Sequence, residues 1–317
     1  MTQPLIQTIG LKKYFVVGGS KLHAVDDVNL SIERGCTLGI VGESGCGKTT
    51  FGRTVLGLIP ATEGQILFEG KDITKYNSKQ LNSLRKEIQI IFQDPYSSIN
   101  PRHSIGQIIE EPMIVNHIVN DRNERTERVL ELMRTVGLAE KLYNSYPHEL
   151  DGGRRQRIGV ARALSVNPKF IVCDEPVSAL DVSIQAQILN LLMDLQDRMG
   201  LTYMFITHAL NVAKHISDEI AVMYLGQCVE RASSKALFRN PLHPYTKALL
   251  SAILIPSAKV REIQTEIIKG ELTSPINPKP GCRFYNRCPF GKEVCLNRDL
   301  QLKEIEPGHF VQCTLYP

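Results

Sequence analysis

The sequence predicts an α/β domain on a largely parallel sheet, with a helical insertion and a small cysteine-rich C-terminal extension. Three observations carry this. Short apolar runs of strand length recur along the chain, with helix-compatible stretches between several of them. A glycine-rich loop joins one such run to a helix-compatible segment. Four of the eight cysteines crowd the last 36 of the 317 residues.

The first strand of this pattern is TLGIV at 37–41, followed at once by the glycine-rich loop. Runs at 88–92, 170–174, 202–206 and 219–224 repeat its length and character. Between Pro95 and about Gly153 no such run occurs, while 104–111 and 122–136 look helical. Residues 95–160 therefore read as a helical subdomain. ALLSAILI at 248–255 suits a buried helix. From 254 to 281 the chain turns polar and proline-rich (Pro256, Pro275, Pro278, Pro280), as an extended connector does. The expected division is a main domain over 1–255 and an extension over 256–317.

Bulk properties exclude several classes. Apolar residues at 43% and charged residues at 22% suit a globular chain. A net charge of +4 does not argue for nucleic acid. No apolar run approaches the ~18 residues that span a bilayer. MTQPLIQTIG lacks a basic region followed by an apolar core. The expectation is a cytoplasmic chain whose membrane role, if any, comes through a partner.

GESGCGKTT, starting at Gly42, fits G-x-x-x-x-G-K-[ST] between a strand and a helix. Gly42, Glu43, Ser44, Gly45, Cys46 and Gly47 would turn backbone N–H groups around phosphate oxygens, with the helix N-terminus adding its positive end. Lys48 would reach the β- and γ-phosphates, Thr49 would ligate Mg²⁺, and Thr50 completes the motif. Cys46, at a helix start beside Lys48, is expected to favour the thiolate. FIVCDEP supplies a second element. Asp174 ends a buried strand, where it can hold Mg²⁺, and Glu175 follows, placed to orient or deprotonate an attacking water.

With IIFQDP at 90–95, DGGRRQR at 151–157, VCDEPVSALD at 172–181 and ITH at 206–208, the chain resembles the ATP-binding subunits of ABC transporters, which carry these elements in this order. The resemblance covers residues 5 to 255 and implies a P-loop NTPase fold of the ABC type. It implies roles for Gln93 (contact to Mg²⁺ and the transmembrane partner), Glu175 (general base), Asp181 (a loop crossing a dimer interface) and His208 (near the γ-phosphate). It also implies an aromatic stacked on adenine, either Phe15 or Tyr14, with Phe15 slightly preferred. Asp151, Gly152 and Gly153 would face the ATP of an opposite chain. Two positions depart from the family pattern: Asp151 stands where serine is common, and Ala209 where an acidic residue is.

NPLHPYTKALLSAI at 240–253 and INPKPGCRFYNRCP resemble the C-terminal part of oligopeptide and dipeptide permease subunits, shared with nickel and antimicrobial-peptide uptake systems. The implied partners are a paralogous ATPase subunit, two transmembrane permease subunits and, indirectly, an extracytoplasmic peptide-binding protein. Nucleic acid is not expected. The chain would sit peripherally on the cytoplasmic membrane face. A soluble ABC ATPase acting on DNA or ribosomes is the alternative of another class, disfavoured by the single cassette and the permease-like tail. Cys282, Cys288, Cys295 and Cys313 are spaced C-x5-C-x6-C-x17-C. Four thiolates suit an iron–sulfur cluster or Zn²⁺, though the tight C-x2–4-C pairs of most zinc sites are missing. Disulfides or free thiols are the remaining readings. The resemblance implies a [4Fe–4S] cluster.

Overall fold

The computed structural model describes residues 3–94, 98–252, 274–296 and 300–316. They form two compact units. One comprises Met1–Leu5, Ile32–Cys36 and Lys75–Ile206, the other Ile6–Ser31, Thr37–Thr74 and Thr207–Pro317.

In the first unit, β6 (Ile88–Ile91), β7 (Phe170–Asp174) and β8 (Thr202–Ile206) run parallel with β7 in the middle. Every residue of β7 and β8 is buried, as parallel strands covered on both faces require. The helical insertion contains Ile105–Val115, Arg122–Thr135 and Gly152–Leu164. Each starts on a side-chain cap: Ser104 with a reciprocal Gln107, then Asp121, then Asp151. The first helix outruns its expected end at 111. Pro112 sits near its C-terminal end, where one lost N–H is outweighed by burial of Ile109 and Met113.

In the second unit, β3 (Thr37–Val41) pairs in parallel with β9 (Glu219–Tyr224). β10 (Gln227–Ser233), β12 (His309–Val311) and β11 (Lys303–Glu306) extend the order antiparallel. A separate four-stranded antiparallel sheet was not expected. Its order is β2 (Ser20–Ile32), β1 (Ile6–Val17), β4 (Glu63–Phe68), β5 (Lys71–Asp72). Its signature in β2 is broken at Asp27, where a left-handed residue (φ 54°) lets Val25 and Val28, three apart, both be buried. Residues 254–273 of the expected connector lie outside the described residues. Its described end bridges to β2: the His23 N–H donates to Pro275 O at 3.0 Å, and the Asn277 N–H to Lys21 O at 2.8 Å.

A fully buried carboxylate gathers the C-terminal part of this unit. Glu230, on β10, accepts from the backbone N–H groups of Leu242 (2.7 Å) and His243 (2.8 Å) and lies 2.8 Å from His309 Nε2 on β12. His243 is itself buried and caps the helix Pro244–Ser251 by accepting from the Tyr245 N–H at 3.0 Å. That bond needs a bare Nδ1. Burial accordingly pushes the His243 pKa down to about 4, with Glu230 opposing and Lys247 assisting. The unfolded chain binds this proton near pH 6.5 and the folded chain only near 4, so stability is full above 6.5 and falls as pH drops between the two. Urea unfolding at pH 7 and pH 4.5 is expected to show a loss on the order of 2 kcal/mol from this group. His243→Asn, whose Oδ1 keeps the cap, should remove that part of the slope. An unchanged slope would reject the assignment.

Candidate functional site

The phosphate loop belongs to the second unit. β3 ends at Val41, the loop occupies Gly42–Gly47, and the helix Lys48–Val55 follows. Gly42 (φ 151°) lies so close to β9 that a Cβ would stand 2.2 Å from Met223 O. Gly47 (φ 104°) is equally confined, with a Cβ falling 2.0 Å from Ala24 O. Both positions therefore demand glycine. The loop closes around Lys48, which is buried and donates from Nζ to Gly42 O at 2.8 Å and Glu43 O at 2.9 Å. Ser44 and Gly45 are exposed at the loop's tip, and Thr49 and Thr50 are half-buried in the first helical turn.

Cys46 departs from expectation. Its Sγ lies 3.8 Å from Lys48 Nζ, but the residue is 3% exposed. Burial raises the thiol pKa more than the ammonium lowers it, so the thiolate is disfavoured.

Of the two adenine-stacking candidates, Tyr14 is committed elsewhere. Its ring stacks on His23 at 3.9 Å and 24°, and its hydroxyl donates to Asp26. Burial and Asp26 hold that hydroxyl protonated. Phe15 keeps a partly exposed ring, with Lys13 Nζ 4.9 Å from its centroid. His208 is exposed and follows Thr207, whose N–H donates to Ile40 O at 3.1 Å near the end of the loop strand. Ala209 begins the helix Leu210–Ile216 without a side-chain cap; its N–H donates to Thr207 Oγ1 at 3.0 Å.

The acidic pair belongs to the first unit. Asp174 ends β7 at 2% exposure. Glu175 has a left-handed backbone (φ 47°), a strain of about 1–2 kcal/mol for a side-chain-bearing residue. Its N–H donates to Ile206 O at 3.0 Å and its carbonyl accepts from Ser178 Oγ at 3.1 Å. Gln93 Nε2 donates to its carboxylate at 3.1 Å. Two residues 82 positions apart, singled out separately in the sequence, thus meet directly.

Asp151 caps the helix Gly152–Leu164, opened by Gly152 and Gly153. One carboxylate oxygen accepts from the Arg154 N–H at 2.8 Å, and the other lies 3.5 Å from Arg154 Nε. Asp181 caps Val182–Met199 in the same way, accepting from the Ile184 N–H (2.9 Å) and Ser183 Oγ (2.7 Å). The Ile184 N–H chiefly holds the Asp181 carboxyl below its usual range.

The four C-terminal cysteines line one pocket, together with His243, Phe284 and Phe290. Burial pushes the Cys282 thiol up to about 12, and the other three thiols add to the rise. Cys295 Sγ lies 3.0 Å from Thr314 Oγ1. Among the described residues, however, no three metal-ligating side chains are gathered closely enough to hold an ion.

Sequence reasoning missed two arginines between Cys282 and Cys288. Arg283 donates to Asp26 and to Leu225 O. Arg287 forms a two-pronged bridge to Glu43 of the phosphate loop, at 2.9 and 3.0 Å. The CRFYNRC pattern shows basic residues but nothing of their distant partners.

A strand–loop–helix closing on a buried lysine, with an Asp–Glu pair ending a buried parallel strand, defines a P-loop ATPase. Residues 25–178 match the ABC transporter family, and residues 229–295 match the family described as oligopeptide/dipeptide transporter, C-terminal region. The Oligopeptide transport ATP-binding protein AppF of Bacillus subtilis (strain 168) is 49% identical over 99% of this chain and 98% of its own length. The Dipeptide transport ATP-binding protein DppF of Haemophilus influenzae is 47% identical over 98% and 96%. The ADP- and Pi-bound dimer of the ATP-binding cassette MJ0796 superposes at a TM-score of 0.67 with 29% identity, covering 72% of this chain and 98% of that one. The chain belongs to the ABC transporter ATP-binding family.

One expectation follows for each half. Glu175→Gln should cut ATP turnover at least about 100-fold while nucleotide binding persists, measured as phosphate release beside equilibrium binding; equal loss of both would show that the residue serves structure. Maleimide should label Cys46 in folded protein at pH 7 much more slowly than in urea, and a matching rate would show the thiol to be open.

Proposed function

We propose that this chain is the ATP-hydrolysing subunit of an importer for di- or oligopeptides. The observation that carries this is the near-full-length relation to peptide-transport ATPases, including the C-terminal region, on a chain that retains the phosphate loop and the Asp174–Glu175 pair. Lys48 would neutralise charge on the β- and γ-phosphates. Thr49, Gln93 and Asp174 would hold Mg²⁺, which would supply positive charge to offset that of the phosphates. Glu175, kept in place by Gln93, would take a proton from water, and His208 would reach the γ-phosphate. Phe15 would stack on adenine. Among the described residues no helix is long and apolar enough to cross a membrane, which suits peripheral attachment to two permease subunits at the cytoplasmic face. Nickel or another small solute is the alternative cargo. Reconstitution with its neighbouring permeases and binding protein should give ATP-dependent uptake of labelled di- or oligopeptides; uptake of nickel alone would select the alternative.

The four thiols line one pocket without standing close enough to hold an ion, and they would have to draw together to hold a [4Fe–4S] cluster, with Zn²⁺ as the alternative. Protein purified without oxygen should be brown and contain iron and sulfide, and Cys288→Ser should bleach it. Stoichiometric zinc without iron would reject the cluster.

Asp151 supports asymmetry between two paralogous ATPases. Already an acceptor for its own helix, it has no proton to donate to a facing γ-phosphate when ionised. Arg154 sits beside it, but an ion pair this exposed is worth no more than about 1 kcal/mol. Hydrolysis would then concentrate in the site built from Lys48, Glu175 and His208. In the assembled transporter, Glu175→Gln should abolish ATPase activity while the matching change in the paralogue does much less. Equal losses would leave Asp151 as a helix cap only.

A further inference from the structure

Residue 43 of the phosphate loop is held from three directions. Its N–H donates to Tyr245 Oη at 2.9 Å, its carbonyl accepts from Lys48 at 2.9 Å, and its carboxylate takes both prongs of Arg287. The third hold comes from the C-terminal segment, 244 residues away. Arg287 is anchored there. It is 9% exposed, its guanidinium lies 5.8 Å from the Tyr224 ring and 6.0 Å from that of Phe284, and its Nη1 also donates to Tyr224 Oη at 3.3 Å. Tyr224, Tyr245 and Phe284 form a buried aromatic trio with centroids 4.6–5.4 Å apart, and Cys282 and Cys288 pack against the same cluster. The turn between them carries Phe284 into the trio and Arg287 out to the loop.

We propose that Arg287 is a positioning residue for nucleotide binding: it fixes the phosphate loop through Glu43 and neutralises a carboxylate that would otherwise face the incoming phosphates. Two consequences follow from the chemistry. A planar fork matches a carboxylate in a way an ammonium cannot, so lysine is an incomplete substitute. With Arg287 gone, the harmful species is the released Glu43 charge, and removing that charge should repair the defect.

The inference rests on reading this loop as the ATP site, and titration of the full-length chain with a fluorescent ATP analogue and Mg²⁺ separates the two. Failure of the unaltered chain to bind would overturn that reading. Arg287→Ala should bind about tenfold more weakly and Arg287→Lys at least about threefold more weakly than the unaltered chain. The double variant should bind no more weakly than Glu43→Gln alone. Thermal melting run in parallel identifies any unfolded variant, and Arg287→Lys carries the comparison if Arg287→Ala does not fold. Arg287→Ala or Arg287→Lys within twofold of the unaltered chain would overturn the proposal, as would a double variant whose loss is the product of the two single losses.

Discussion

A triphosphate is bound by backbone N–H groups turned inward, and a chain can turn them inward only where it tolerates backbone conformations that most residues avoid. The rest of the second unit is arranged around this constraint. Gly42 and Gly47 abut Met223 O and Ala24 O, so the loop is wedged between neighbouring backbone segments. Lys48 closes it from within by bonding the Gly42 and Glu43 carbonyls. A loop held this way requires little ordering when a ligand arrives, and preorganisation lowers the cost of binding. Glu175 meets a related demand in the other unit: its left-handed backbone is sustained by bonds to Ile206 and Ser178, while Gln93 holds its carboxylate.

What was legible in the sequence follows from how local each feature is. The phosphate loop and the Asp174–Glu175 pair are contiguous, because adjacent backbone groups do the chemistry, and they read directly. The parallel strands read equally well, since full burial gives uninterrupted apolar runs. The antiparallel sheet was missed because β2 breaks its alternation at Asp27 and β5 has only two residues. Cys46 was misread because position beside a lysine is visible in sequence and burial is not. The surroundings of Tyr14 and Phe15 cannot be read from the letters: Tyr14 stacks on His23 and bonds to Asp26, while Phe15 lies beside Lys13.

The C-terminal region shows the same division. Its cysteines are conspicuous in sequence, yet several of its described links to the rest of the unit are polar side-chain contacts with residues far away in the chain. Arg287 reaches Glu43, Arg283 reaches Asp26, and His309 reaches Glu230. A buried ion pair contributes little net stability compared with apolar packing, because desolvation offsets most of its attraction. For the two arginine pairs, removing one partner would leave an uncompensated charge, which costs more than replacing both.

This bears on how the tail relates to the chemistry. Were the C-terminal region only a covering layer, apolar contacts such as Phe284 against Tyr224 and Tyr245 would suffice. Instead its two arginines reach the acid beside the Tyr14–His23 stack and the acid inside the phosphate loop. The second of these acids belongs to the loop that would hold phosphates, where an unpaired carboxylate would oppose that ligand. The cysteine-bounded turn holds both arginines within a span of five residues, 283 to 287. A change in the shape of that turn would therefore move both guanidinium groups together, and with them the charge paired to the acid of the phosphate loop.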